Sequence, residues 1–166
     1  MKIRALLMAI ALVAFALPVT AASPDDKATG NGIVSDRFGT ATKFNLSAHS
    51  DADGANADGS ATYQRVIWVG PDPAPQGKVD VTDLNVAGDT ACVAGAFRGD
   101  PETWPFGPGY PYAIIVVVDN GPASADPGDT GVAFGVTGGD CDDWTAFGLL
   151  IDVPLTQGNI GVTDAS

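Results

Sequence analysis

Cations, glutamate and histidine are what this 166-residue chain has least of. Eight Lys and Arg stand against twenty Asp and Glu, with one His and two Cys, for a formal net charge of −12. Each shortage excludes something. A nucleic-acid binder needs a basic surface to displace counterions from phosphate, so that class is excluded, and anionic lipid is disfavoured for the same reason. A single histidine, His49, permits no His-pair metal site and no obvious triad. There is no Gly-x-Ser-x-Gly elbow and no phosphate-cradling glycine loop. Two Asp carboxylates can run glycoside hydrolysis, but nineteen Asp make every pair equally available and none informative. The chain reads as non-catalytic.

Among its acids only Glu102 is Glu. Asp suits turns because its short carboxylate bonds nearby backbone N–H groups, whereas Glu suits helices. With 21 Gly and 12 Pro as well, the composition predicts many turns and little helix.

What is present begins with the N-terminal segment. Met1-Lys2-Ile3-Arg4 is basic, Ala5 to Val19 is apolar, and Val19-Thr20-Ala21 or Thr20-Ala21-Ala22 offers a small-residue cleavage site. Those three parts in that order predict a signal peptide over residues 1–22 and a secreted domain over 23–166. The run is short for a membrane span, which needs about 20 apolar residues, so no membrane association is expected after cleavage. Removing Lys2 and Arg4 takes the net charge from −12 to −14. In an oxidising compartment Cys92 and Cys141 predict one disulfide. Residues Ala22 to Lys27 read as a flexible leader.

Beyond the leader the hydrophobic pattern has a period of two, with turns between the runs. Phe44, Leu46 and Ala48 alternate with Lys43, Asn45 and Ser47. Val132, Phe134 and Val136 alternate with small residues, which predicts one filled face and one closely approached face. Tyr112 to Val118 is apolar throughout, as in a strand covered on both sides. Val79/Val81 and Leu84/Val86 are out of phase by one residue, which predicts a bulge near Thr82-Asp83. Turn signals fall at Asp58-Gly59, Gly88-Asp89, Asp119-Asn120-Gly121 and Gly138-Gly139-Asp140.

Eight or nine strands result, at about 30–35, 40–48, 60–69, 77–87, 90–97, 110–119, 130–137, 145–153 and 158–163. Short connections favour an antiparallel meander. Gly30-Asn31-Gly32-Ile33-Val34 and Gly158-Asn159-Ile160-Gly161-Val162 echo each other. Pairing of those first and last strands predicts a closed or nearly closed barrel, with a two-sheet β-sandwich as the alternative.

Three segments carry candidate chemistry. Asp51, Asp53, Asn56 and Asp58 lie in a Gly-containing loop, the way hard oxygen ligands gather around Ca²⁺. The register fails an EF-hand: with Gly59 as its sixth residue the first is Gly54, and no Glu follows. An acidic hairpin is therefore the expected state, Ca²⁺ is the single candidate ion, and no other cofactor is expected. Asp140, Asp142 and Asp143 flank Cys141 and read as solvated loop acids, and Asp126 and Asp129 as turn residues. The third segment, 99–111, contains four Pro and three Gly and cannot form a ladder. Its Trp104, Phe106 and Tyr110 are a candidate platform for an extracellular glycan or protein partner; capping of one barrel end is the preferred reading for Trp104 and Phe106.

Several short motifs run in a fixed order: Gly30-x-Gly32, Phe44-x-Leu46-x-Ala48, Asp58-Gly59 with Tyr63, and Val81-Thr82-Asp83-Leu84-x-Val86-x-Gly88. Ala91-x-Val93-x-Gly95, Val117-Val118-Asp119-Asn120-Gly121, Gly128-Asp129 and Gly158-Asn159-Ile160-x-Val162 follow. Across nearly the whole mature chain this order resembles the small exported bacterial β-domains called post-COAP-1 domains. Segment 99–111 and the cysteine pair depart from that pattern. The resemblance implies an exported β-domain and carries over no catalytic residue. The function expected is an extracellular binding or structural module. A barrel holding a small apolar ligand, or a hydrolase using Asp carboxylates, are the alternatives.

Overall fold

A computed structural model describes residues 25–35, 41–66, 74–122, 128–142 and 153–165. Eight strands form one sheet: β1 (Asp25–Ser35), β2 (Ala41–Asp51), β3 (Asp58–Arg65), β4 (Gln76–Ala87), β5 (Thr90–Arg98), β6 (Tyr112–Val118), β7 (Thr130–Val136) and β8 (Leu155–Thr163). Their order is β7-β6-β5-β4-β3-β2-β1-β8, antiparallel throughout. The molecule is an all-β, nearly closed barrel rather than a two-sheet sandwich. The segment expected as a signal peptide, and all of the strand expected at 145–153 except its last residue, lie outside the described residues. A one-turn 3₁₀ helix, Pro101–Thr103, is the only helix among the described residues, and no helix there is long and apolar enough to cross a membrane.

The leader expected to run to Lys27 is corrected by β1, which starts at Asp25. Asp25 and Lys27 face outward while Asp26 and Ala28 turn inward. The Asp26 carboxylate tolerates burial because it accepts a hydrogen bond from Ala165 N at 2.8 Å. An inward acid conceals the alternation from a hydrophobicity pattern, so the strand looks five residues shorter than it is. Asp58-Gly59, expected as a turn, opens β3 instead; the reversal occupies residues 52–57.

The bulge falls where the phase change predicts it, between Val81 and Asp83 against β5. Residues on either side of it keep Val79, Val81 and Leu84 inside. Phe44, Tyr63, Leu84, Ile115 and Ile160, each under 2% exposed, fill the interior. A second, smaller cluster covers the outer face of β5–β7, where Cys92, Ala94, Ile114 and Val116 pack with Val132, Phe134 and Val136. The Cys92–Cys141 disulfide (Cα–Cα 5.9 Å) anchors the chain after β7 onto this face. Asp83, turned out by the bulge, accepts from Cys141 N at 2.5 Å. This is why β6 is apolar on both faces.

The echo between the two ends of the sequence is a real pairing. Asn31 lies opposite Asn159, Gly30 opposite Ile160 and Gly32 opposite Gly158. Gly30 and Gly158 have φ of +144° and +121°, and a Cβ on either would collide with the other strand's backbone. Because β8 sits beside β1, the remaining gap lies between β7 and β8. Backbone bonds Gly131 N to Val153 O (2.9 Å) and Leu155 N to Asp129 O (3.0 Å) begin to close it. Farther along, side chains take over: Asp129 accepts from Ile160 N at 2.7 Å, and Asp119 from Val162 N at 3.1 Å. Each satisfies an edge amide that has no strand partner. Asp129, expected as a turn residue, is a buried staple instead.

Candidate binding groove at the barrel mouth

The β5–β6 connection begins with Gly99 in the left-handed region (φ +90°). Asp100 then caps the 3₁₀ turn, its side chain accepting from Glu102 N at 3.0 Å. That reversal folds the Pro-rich segment back over the end of the barrel. Trp104 stacks on Phe97 at a centroid distance of 5.8 Å, and its indole Nε1 donates to Arg98 O at 3.2 Å. Phe106 meets the Tyr63 ring edge-on at 5.8 Å. Its Cβ rests where a side chain on Gly135 would be, which is the closely approached face of β7. Trp104 and Phe106 therefore cap the barrel, and both remain half-buried. Tyr110 also lies against Gly135 through its Cβ but stays 47% exposed.

Beside this cap lies a groove of about 1030 Å³. That is just above the roughly 300–1,000 Å³ spanned by small-molecule sites. Its walls are Trp104, Pro105 and Phe106 on one side and β3–β4 residues on the other; Arg65, Lys78 and Arg98 border it. Tyr110 does not line it. Of the three candidate platform residues the structure thus brings two to one site and leaves the third aside.

The three cations are half of the six Lys and Arg that follow residue 22, and no local motif marks them. Arg65 continues the inward column Ala61–Tyr63 to the mouth. Its guanidinium carbon sits 5.9 Å from the Phe106 ring centroid, a cation–π contact, and its buried Nε has no hydrogen-bond partner. Lys78 is exposed on the outer face. Arg98 pairs with Asp80, whose hydrogen bond and charge raise the guanidinium pKa. Both partners are well exposed, so the pair adds little stability. Neither Arg65 nor Lys78 has a carboxylate partner among the described residues.

The acidic loop is built differently. Asn56, at φ 54°, donates through Nδ2 to Asp51 at 2.7 Å. Asp53 accepts from Ala55 N at 3.1 Å and Asp58 from Gly59 N at 2.6 Å. These carboxylates serve their own turn, and among the described residues no three His, Cys, Asp or Glu come together as a metal-binding group. His49 is exposed on β2 opposite Lys27 and Asp58, at the end of the sheet away from the groove. Asp126 and Asp143 lie outside the described residues.

No protein-family model, curated protein or solved structure matches this chain.

Proposed function

We propose that the mature chain is an exported, non-catalytic binding module whose ligand face is the groove at the barrel mouth. The observation that carries this is the convergence of Trp104, Phe106 and three of six cations on one concave site of a domain otherwise dominated by carboxylates. A filled interior supports an external site over an enclosed apolar ligand. The buried disulfide supports an oxidising compartment, which agrees with the signal-like head.

Two experiments test this reading. Intact mass of protein recovered from the culture medium should show a chain starting at Ala22 or Ser23 and no alkylatable thiol. Retention on immobilised cell-envelope polysaccharide should be lost with Trp104→Ala or Lys78→Glu while circular dichroism stays unchanged. Retention that ignores both substitutions would remove the groove from the function.

A further inference from the structure

Resting on the groove reading, we infer that its ligand is a neutral oligosaccharide chain bearing a single carboxylate, a uronate, held at Arg65 and Lys78. Arg65 supplies the first reason. A guanidinium presents a planar fork that matches a carboxylate bidentately, and this one is already oriented by Phe106 without an acid to pair with among the described residues. Arg98 is committed to Asp80, which leaves Arg65, at the end of the inward column, and Lys78, on the outer face, as the unpaired cations bordering the groove.

Charge distribution supplies the second reason. A net −14 domain repels a polyanion along its length, but one carboxylate has only the local field to satisfy, because charges beyond about 8 Å are screened at physiological salt. The groove's aromatic wall suits the apolar face of a sugar ring, and Glu102 and Gln76 offer hydrogen-bonding partners to hydroxyls.

The third reason lies outside the groove. Lys78 pairs in register with Arg98 on one side and Thr62 on the other; Thr62 lies opposite Asn45, and Asn45 opposite Asn31, which faces Asn159. The three Asn are exposed, and strands spaced about 4.8 Å apart set them in a row across the outer face. Asn45 Nδ2 donates to Thr62 Oγ1 at 3.0 Å. A chain leaving the groove along this row meets amides and hydroxyls, which suit a polyol. An acidic peptide would find no unpaired edge on β3 or β4 to extend.

Calorimetric titration of the mature protein tests the inference with four probes: an aldotetrauronic acid carrying one glucuronate on a neutral xylooligosaccharide, its carboxyl-reduced form, an oligogalacturonate and a hexaglutamate peptide. The aldotetrauronic acid should bind about tenfold more tightly than its reduced form, the value of about one charge-assisted contact. Arg65→Gln or Lys78→Gln should shrink that ratio towards one. Tighter binding of hexaglutamate or oligogalacturonate would overturn the ligand class. Equal binding of acid and reduced sugar would overturn it too; if Trp104→Ala abolished both, the groove reading would survive alone. Binding of no sugar, or binding indifferent to Trp104→Ala, would sink the ligand class and the sugar-binding groove together.

Discussion

At the barrel end formed by the β2–β3, β4–β5 and β6–β7 connections, carboxylates are aimed at amide N–H groups, all but one of them backbone. Asp119 and Asp129 hold β8, Asp164 accepts from Gly88 N, and Asp51, Asp53 and Asp58 serve their own hairpin. At the opposite end Arg65 and Lys78 border a groove without a carboxylate partner among the described residues. The comparison teaches that charge abundance and charge availability differ. The acids at this end are engaged by the fold, whereas Arg65 and Lys78 stay unpaired among the described residues. Within the acidic end there is a second contrast. Asp129 reaches thirty-one residues along the chain to Ile160 and is 6% exposed, whereas Asp53 reaches two residues and is exposed.

The largest expected effect falls on neither end and sets the scale. Replacing Cys92 and Cys141 together by Ala should cost about 4 kcal/mol in urea unfolding, the chain-entropy value for a loop of this length. Next is the seam. Asp129→Ala leaves Asn120 N and Ile160 N without their acceptor, and losing hydrogen bonds to a charged group at a buried site should cost about 3 kcal/mol. A loss below about 1 kcal/mol would mean that water replaces the staple and that the two classes of Asp are alike.

Tyr63 sharpens the groove end from below. Its ring is buried between Phe97 and Phe106, its hydroxyl has no partner, and burial holds its pKa well above the ordinary value. Unfolding frees the phenol to ionise near pH 10, so stability should be flat below that pH and fall above it. Tyr63→Phe should remove this alkaline fall and raise stability at neutral pH by about 1 kcal/mol, because an unsatisfied hydroxyl is no longer buried. A fall unchanged in the variant would assign it to other groups.

Smallest are the hairpin acids. Asp53→Ala and Asp58→Ala should each change stability by less than about 0.5 kcal/mol, and Ca²⁺ and Mg²⁺ should shift the melting temperature alike by screening. A Ca²⁺-selective rise that both substitutions abolish would turn the loop into a site.

Much of the barrel is legible in the chain because period-two alternation and turn residues act locally. Phe44/Leu46/Ala48 places β2, the phase slip at Thr82-Asp83 places the bulge, and the Gly-Asn echo pairs β1 with β8. What escapes is whatever depends on the finished sheet. Asp26 hides the start of β1 because its burial is licensed by Ala165, 139 residues away. Asp129 resembles a turn residue because its partner, Ile160, is brought to it only by closure. Arg65, Lys78 and Arg98 carry no common motif; strand register and the cap over the mouth assemble them. Trp104 and Phe106 could be found from their cost of exposure in a Pro-rich loop, and Tyr110 could not be separated from them that way.

Chemical-shift mapping of the ¹⁵N-labelled domain, residues 23–166, titrated with the aldotetrauronic acid, compares the two ends most directly. Perturbations should concentrate at residues 62–65, 76–78 and 98–107, extend weakly along Asn45 and Asn31, and leave 51–58 and 88–89 unmoved. Shifts confined to the acidic end, with none at the groove, would contradict the division of labour between them.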